Sequence, residues 1–301
     1  MTGGSARTGV LLWCAVAAGC RAEPSADPGA RDSATLAERE SRLSTVLARS
    51  DTVTDGPVAR WMLPPALSEI SGLALTRDQR LLAHGDESGR VFEVDYRRGQ
   101  LVKSFLVGTQ LVRDDLEAIT VSDDRLFLLA SSGRIYEFAE GANGARVPFK
   151  VHDTQLEADC EFEGLAFDPK ANALVLACKN VLVKGLKDFV VLYRYTPAGD
   201  SSQTTQIRIP FSDAVGTNGW KRFSPSDITL DPASGDYLIL SAQEKGLLRV
   251  TPDGQVVWSR PLPPGHEMPE GIAITRDGLL IVSDESTSKK TPGAITLYRW
   301  R

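Results

Sequence analysis

The sequence predicts an all-β chain, a five-bladed β-propeller of four-stranded blades, on three observations. One phrase recurs at a near-fixed spacing, each copy leads into a turn and a second apolar strand, and an unpaired strand precedes the first copy. The copies are SEISGLAL (68–75), DDLEAITV (114–121), CEFEGLAF (160–167), FSPSDITL (223–230) and EMPEGIAI (267–274). In each, a polar or acidic cluster meets a small residue or Asp and then alternating apolar positions. Anchored on Gly72, Ala118, Gly164, Asp227 and Gly271, the copies are 46, 46, 63 and 44 residues apart. Three intervals agree and one holds an insertion. Short strands punctuated by Gly, Asp and Pro turns at a period of about 45 are the mark of four-stranded propeller blades.

Each unit continues in order. The second strands are RLLAHGD, RLFLLAS, ALVLACK, DYLILSA and LLIVSDE, and the third are GRVFEVD, GRIYEFA, FVVLYRY, GLLRVTP and AITLYRW. Fourth strands such as QLVKSFLV and QVVWSRPL usually follow, but the last unit runs out at Arg301 after three. PVARWMLP (57–64) supplies the missing strand; paired with the last blade it closes the ring and removes an exposed edge. The long interval is expected to hold blade three plus an excursion, NVLVKGLKD or TNGWKRFSPSD.

Ahead of the propeller, an apolar run over 8–19 behind Arg7 has the outline of a signal peptide and is too short to span a bilayer. Its ending, Ala17-Ala18-Gly19-Cys20, resembles a bacterial lipobox, although Leu is more usual where Ala17 stands. The expected organisation is a lipoprotein signal over 1–19, a lipidated Cys20 with a flexible tether over 20–56, and the propeller over 57–301. Arg21 after Cys20 matches an outer-membrane lipoprotein facing the periplasm; an ordinary signal peptide, giving a soluble exported protein, is the alternative. The tether is rich in Ala, Ser, Asp, Glu and Arg and has no aromatic residue, as unstructured linkers do. Its 34–50 stretch has leucines at helical spacing, 36, 43 and 47.

From about residue 57 onward the chain resembles the SdiA-regulated, YjiK-like family, carried by SGLAL, DLEAIT, FEGLAFDP with LACK, PSDITLDP and PEGIAI. The resemblance implies a five-bladed propeller distantly related to NHL-repeat propellers, a bound calcium ion, and no established biochemical activity.

The repeat register selects candidate site residues. Ser71, Glu117, Glu163, Ser226 and Glu270 precede the anchors, and Glu69, Asp115, Glu161, Ser224 and Met268 lie two positions earlier. First strands surround the channel of a propeller, so repetition in sequence becomes convergence in space. Carboxylates crowded at one mouth repel one another unless a cation compensates, and calcium accepts six to eight oxygen ligands in flexible geometry. The expected calcium ligands are therefore Glu117, Glu163, Asp227 and Glu270, with Glu69 as a fifth oxygen; an acidic rim holding no ion is the alternative.

Cys160 and Cys178 flank the turn of one hairpin at near-facing positions. An exported compartment permits their disulfide; two buried free thiols are the alternative. His84, His152 and His266 lie in unrelated contexts and are expected on the surface or in loops. No HExxH, G-x-S-x-G or P-loop is present.

With 34 basic against 39 acidic side chains and no basic run, nothing holds a phosphate backbone, so nucleic acid is not an expected partner. Two functions follow. One is a membrane-tethered calcium-binding propeller acting as a binding or scaffold module for an unknown protein or small-molecule ligand. The other is a calcium-dependent hydrolase, lactonase- or esterase-like or phytase-like, with Lys179, Lys221, Arg222 and Lys245 as candidate phosphate contacts.

Overall fold

The computed structural model describes residues 1, 36–45, 56–197, 203–288 and 291–300. The signal peptide and Cys20 lie outside the described residues. The chain divides into units of residues 1–38 and 39–301. In the first, the structure describes Met1 and the start of a helix over 36–45, α1. In the second, the rest of α1 buries Leu43 in a cluster with Leu63, Leu67 and Tyr96, and Glu40 pairs with Arg98 at 2.6 Å. Among the described residues no helix is long and apolar enough to cross a membrane.

Five antiparallel blades form the ring. After β1 (Ala59–Met62), blade 1 comprises β2 (Ile70–Leu75), β3 (Leu81–Gly85), β4 (Arg90–Asp95) and β5 (Gln100–Val107). Blade 2 comprises β6 (Leu116–Ser122), β7 (Arg125–Ala130) and β8 (Arg134–Ala139), then, past the short β9 (Arg146–Val147), β10 (Phe149–Asp153). Blade 3 is β11 (Cys160–Asp168), β12 (Ala173–Val181), β13 (Phe189–Thr196) and β14 (Gln203–Pro210). A short helix, α2 (Phe211–Val215), leads to blade 4: β15 (Asp227–Leu230), β16 (Tyr237–Ser241), β17 (Gly246–Val250) and β18 (Val256–Pro261). Blade 5 is β19 (Pro269–Ile274), β20 (Leu279–Asp284), β21 (Ala294–Arg299) and β1, which pairs with β21 from Ala59↔Leu297 to Met62↔Ala294. The first strands touch in cyclic order, β2, β6, β11, β15, β19 and back to β2.

The expected ring and its closure by the orphan strand are thus present. The long interval holds a 3-10 turn (Lys184–Leu186) between β12 and β13, and α2 with the loop that follows it. One element has no counterpart in the repeat: β9 pairs in parallel with β5, making blade 1 five-stranded. It covers an outer edge that would otherwise present free backbone groups.

Local chemistry explains the regularity. Each turn between first and second strands contains one residue in the left-handed region: Gln79, Asp123, Asn172, Gly235 or Gly278. Such turns favour Asn, Asp and Gly, as the DPKAN, SDD and TRDG stretches supply. Five apolar clusters fill the spaces between neighbouring blades.

At the three glycine anchors neighbouring first strands approach so closely that a side chain has no room, and at the fourth, Ala118, the side chain is a single methyl. A Cβ on Gly164 would lie 2.9 Å from the Ile228 nitrogen, one on Gly72 3.2 Å from the Ala118 Cα, and one on Gly271 2.9 Å from Leu73. Asp227 is the exception. Fully buried, it accepts the backbone N–H of Ile228 and of Ile272 across the next blade, both at 2.8 Å, and a further backbone hydrogen bond from Leu165 in the preceding blade. Its carboxylate ties the first strands of three blades together.

The expectation of surface or loop histidines holds for the loop position of His266, between β18 and β19, and is corrected for His84 and His152, which stand in strands. His84 is completely buried with Nδ1 3.0 Å from the Gly85 carbonyl, and His266 is buried between Asp284 (2.8 Å) and Tyr298 (2.7 Å). His152, expected like them on the surface or in a loop, lies in β10 and contacts Glu137 at 2.6 Å. His266 satisfies Asp284 and the Tyr298 hydroxyl and His152 satisfies Glu137, whereas His84 Nε2 is buried without a hydrogen-bond partner, and isolated His positions in sequence reveal none of this.

Asp227→Ala is expected to destabilise the chain by roughly 3 kcal/mol or more, because buried backbone N–H groups in three blades lose their acceptor. Urea unfolding at constant pH measures it; a change within about 0.5 kcal/mol, the range of ordinary surface substitutions, would show that the tie is dispensable.

Candidate functional site

The residue before the anchor is forced out of the ladder. In β2, β6, β11 and β19 the register jumps across Ser71, Glu117, Glu163 and Glu270, which face no residue of the second strand. In blade 4, Ser226 donates its N–H to Leu240, the residue that also faces Asp227. These are β-bulges, the device by which a strand re-aims one side chain. Four blades therefore push the side chain ahead of the anchor out of the ladder, in three of them a glutamate, while in blade 4 the buried Ser226 hydroxyl donates to the Pro269 carbonyl at 3.2 Å.

Glu117, Glu163 and Glu270 come together at one mouth of the channel. Burial is the main cause of their raised pKa values, to about 8 for Glu117 and about 7 for Glu163 and Glu270. Repulsion adds to it: Glu163 acts on Glu117, Glu270 on Glu163, and Glu117 on Glu270. The Lys179 ammonium pairs directly with Glu163 and attracts the other two. Burial works against its charge, and the three glutamates more than offset it, so its pKa is raised.

The other expected ligands are placed differently. Glu69 lies exposed on the rim, close enough to Glu285 to repel it. Asp227 lies below the mouth with its oxygens engaged by backbone N–H groups, and burial pushes its carboxyl well above the ordinary range. Two further carboxyls join the mouth, Asp86 and Glu285. Both have raised pKa values, first through burial and then through neighbouring acids. They occupy the position immediately after β3 and β20, as Lys179 does near the end of β12. The repeated second-strand endings HGD, ACK and SDE carried that signal. Asp86 Oδ1 is buried with no hydrogen-bond partner.

Cys160 and Cys178 form the disulfide, Cα–Cα 5.8 Å, joining β11 and β12 across the bulge. It fixes the two strands that carry Glu163 and Lys179. Beside it is a cavity of about 340 Å³ lined by Lys179, Lys187 and Arg222 together with Phe189, Phe211 and Ser224. Of the four cations proposed from sequence, Lys179 and Arg222 meet there; Lys221 and Lys245 do not line it.

The oxygen donors suit a hard cation, and a divalent ion would relieve their repulsion. As the side chains stand, no three His, Cys, Asp or Glu residues among those described are grouped closely enough to hold a metal ion.

The raised carboxyls make stability depend on pH. Each holds its proton in the folded state after the unfolded chain has lost it, so its contribution is full below about 4.5 and is lost as pH climbs through about 7 to 8. Without divalent cations the melting temperature is expected to fall across that window. Glu117→Gln/Glu163→Gln/Glu270→Gln should flatten the profile, and an unchanged slope in the triple variant would assign the effect elsewhere.

Residues 65–251 match the family model described as phytase-like, with esterase-like activity of phytase. No curated protein matches the chain by sequence. Solved structures share the fold: the glutaminyl cyclase of Myxococcus xanthus, at 13% identity and a TM-score of 0.55, covers 80% of this chain and 94% of its own. The PQQ-bound aldose sugar dehydrogenase of Streptomyces coelicolor, also at 13% identity, has a TM-score of 0.51 and covers 82% of this chain and 99% of its own. At such identity the likeness extends to the ring of blades and no further. The match spans more than half of the chain, with its first three blades and much of the fourth, and the chain therefore belongs to the phytase-like family.

Proposed function

We propose that this propeller is a calcium-dependent hydrolase of anionic esters, working at the acidic mouth. The observation that carries the reading is the juxtaposition of two opposite subsites: three bulge-borne glutamates, and beside them a cavity lined by Lys179, Lys187 and Arg222. Family membership supports it. Glu117, Glu163 and Glu270 would hold the ion, with Asp86, Glu285 and Glu69 on the approach, and bound calcium would polarise the scissile ester oxygen.

The chain's own groups supply the rest. As ligands of the ion, Glu117, Glu163 and Glu270 would give up the protons that burial holds on them in the metal-free mouth. Asp86 and Glu285, both raised by burial and neighbouring acids, remain on the approach as carboxyls suited to exchange a proton with water or the leaving oxygen. Lys179, released from Glu163, and Arg222 orient the anionic group of the substrate.

A second reading, a binding module with an unidentified protein or small-molecule ligand, is favoured by Lys179 itself. An ammonium already paired within the mouth gives the glutamates a counter-charge without metal. Under either reading we propose export and attachment to the outer membrane, periplasmic side, through Cys20, which rests on the N-terminal sequence alone. The motif order also supports placing the chain near the SdiA-regulated, YjiK-like proteins.

The test pairs binding with turnover. In EDTA, a calcium titration is expected to raise the melting temperature as free calcium passes its Kd, and Glu163→Gln to lose that rise. With calcium, release of phosphate from phosphate esters or of acid from carboxylic esters is expected, and it should be lost in Glu117→Gln. A calcium-dependent rise without turnover on either panel would favour the binding module; neither effect would remove calcium from the account.

A further inference from the structure

The opposite end of the channel carries a second site that the hydrolase reading does not use. Counting from the anchor, the third residue of each first strand is apolar: Leu75, Val121, Phe167, Leu230 and Ile274. All five line one cavity of about 300 Å³, with Leu73, Leu165 and Ile228 as its deeper, almost inaccessible wall. Four of the five are only partly buried, so apolar surface from all five blades converges on a concavity open to water. The fifth residue after each anchor forms the rim: Arg77, Asp123, Pro169, Pro232 and Arg276.

The rim has a charge preference. Arg276 is held in place, its backbone N–H on the Gln79 side chain at 2.7 Å and its guanidinium on the Arg77 carbonyl at 3.1 Å. The Arg77 guanidinium is exposed and has no hydrogen bond or ion pair to any described residue. Against these two cations the lining has one carboxylate, Asp123. The accessible lining is at least as polar as it is apolar, with apolar side chains from the five strands and polar ones such as Thr76, Thr120 and Thr229 among them, and the volume lies at the small end of the range of small-ligand sites. An exposed guanidinium is a ready partner for a carboxylate.

We propose that this well binds a short amphipathic acid, an aliphatic chain or single ring entering between Leu75, Phe167 and Leu230 with its carboxylate on Arg77. The site is independent of the acidic mouth, whose glutamates occupy the other end of the first strands.

The test is titration calorimetry of the full chain with sodium octanoate, with 1-octanol as the neutral counterpart. Saturable octanoate binding is expected. Arg77→Glu, an exposed change, should weaken it about ten-fold, equivalent to about 1.4 kcal/mol, while leaving 1-octanol affinity unaltered. Leu230→Trp, which fills the well, should abolish both; if that variant fails to fold, Arg77→Glu alone decides. Absence of saturable octanoate binding at millimolar concentration, or equal affinity of wild type and Arg77→Glu, would overturn the proposal.

Discussion

The close approach of neighbouring first strands is the constraint on which the rest of this molecule depends. Five strands meet around a narrow channel, and at the anchor the backbone of one blade lies where the Cβ of the next would be. Gly or Ala is the simple solution. Asp227 is the costlier one: a side chain does enter, and it is tolerated because its oxygens replace lost water with backbone N–H groups from adjoining blades. The residue before the anchor then has no place in the ladder and is extruded as a bulge. Packing around the channel thus dictates where the glutamates point, and the repeat reproduces the geometry blade by blade.

Electrostatics follow from that placement. Three carboxyls driven together and partly out of water must protonate, find a cation, or both, and this protein contains the means for each. Lys179 stands in the one blade where a disulfide joins the first two strands, so the cation and its partner Glu163 share a cross-linked hairpin. The mouth is therefore held ready in a state of high proton affinity. Such poise suits a group that must give or take a proton near neutrality.

Much of this was legible in the sequence because propeller repeats translate position into place. The anchors, the glutamates ahead of them, the Cys160–Cys178 pairing and the closing strand follow from register and turn chemistry. Depth did not. Asp227 shares the register of the other anchors, and only the surrounding backbone shows that it is engaged by the strands on either side instead of facing the mouth. Asp86, Lys179 and Glu285 were visible as the ends of the second strands, but their convergence depends on how far each hairpin reaches toward the axis. The buried roles of His84 and His266 depend on neighbours far away in sequence, such as Tyr298, which no local pattern encodes.

The central claim is that the crowded glutamates are protonated near neutrality and surrender protons to a divalent cation. Calorimetric calcium titration at pH 7 in two buffers of different ionisation enthalpy tests it directly, since metal binding to protonated carboxyls must release protons. The account predicts binding heats that differ between the buffers by a net proton release, and the loss of that difference in Glu117→Gln/Glu163→Gln/Glu270→Gln. Calcium binding with identical heats in both buffers, or no binding at all, would contradict it.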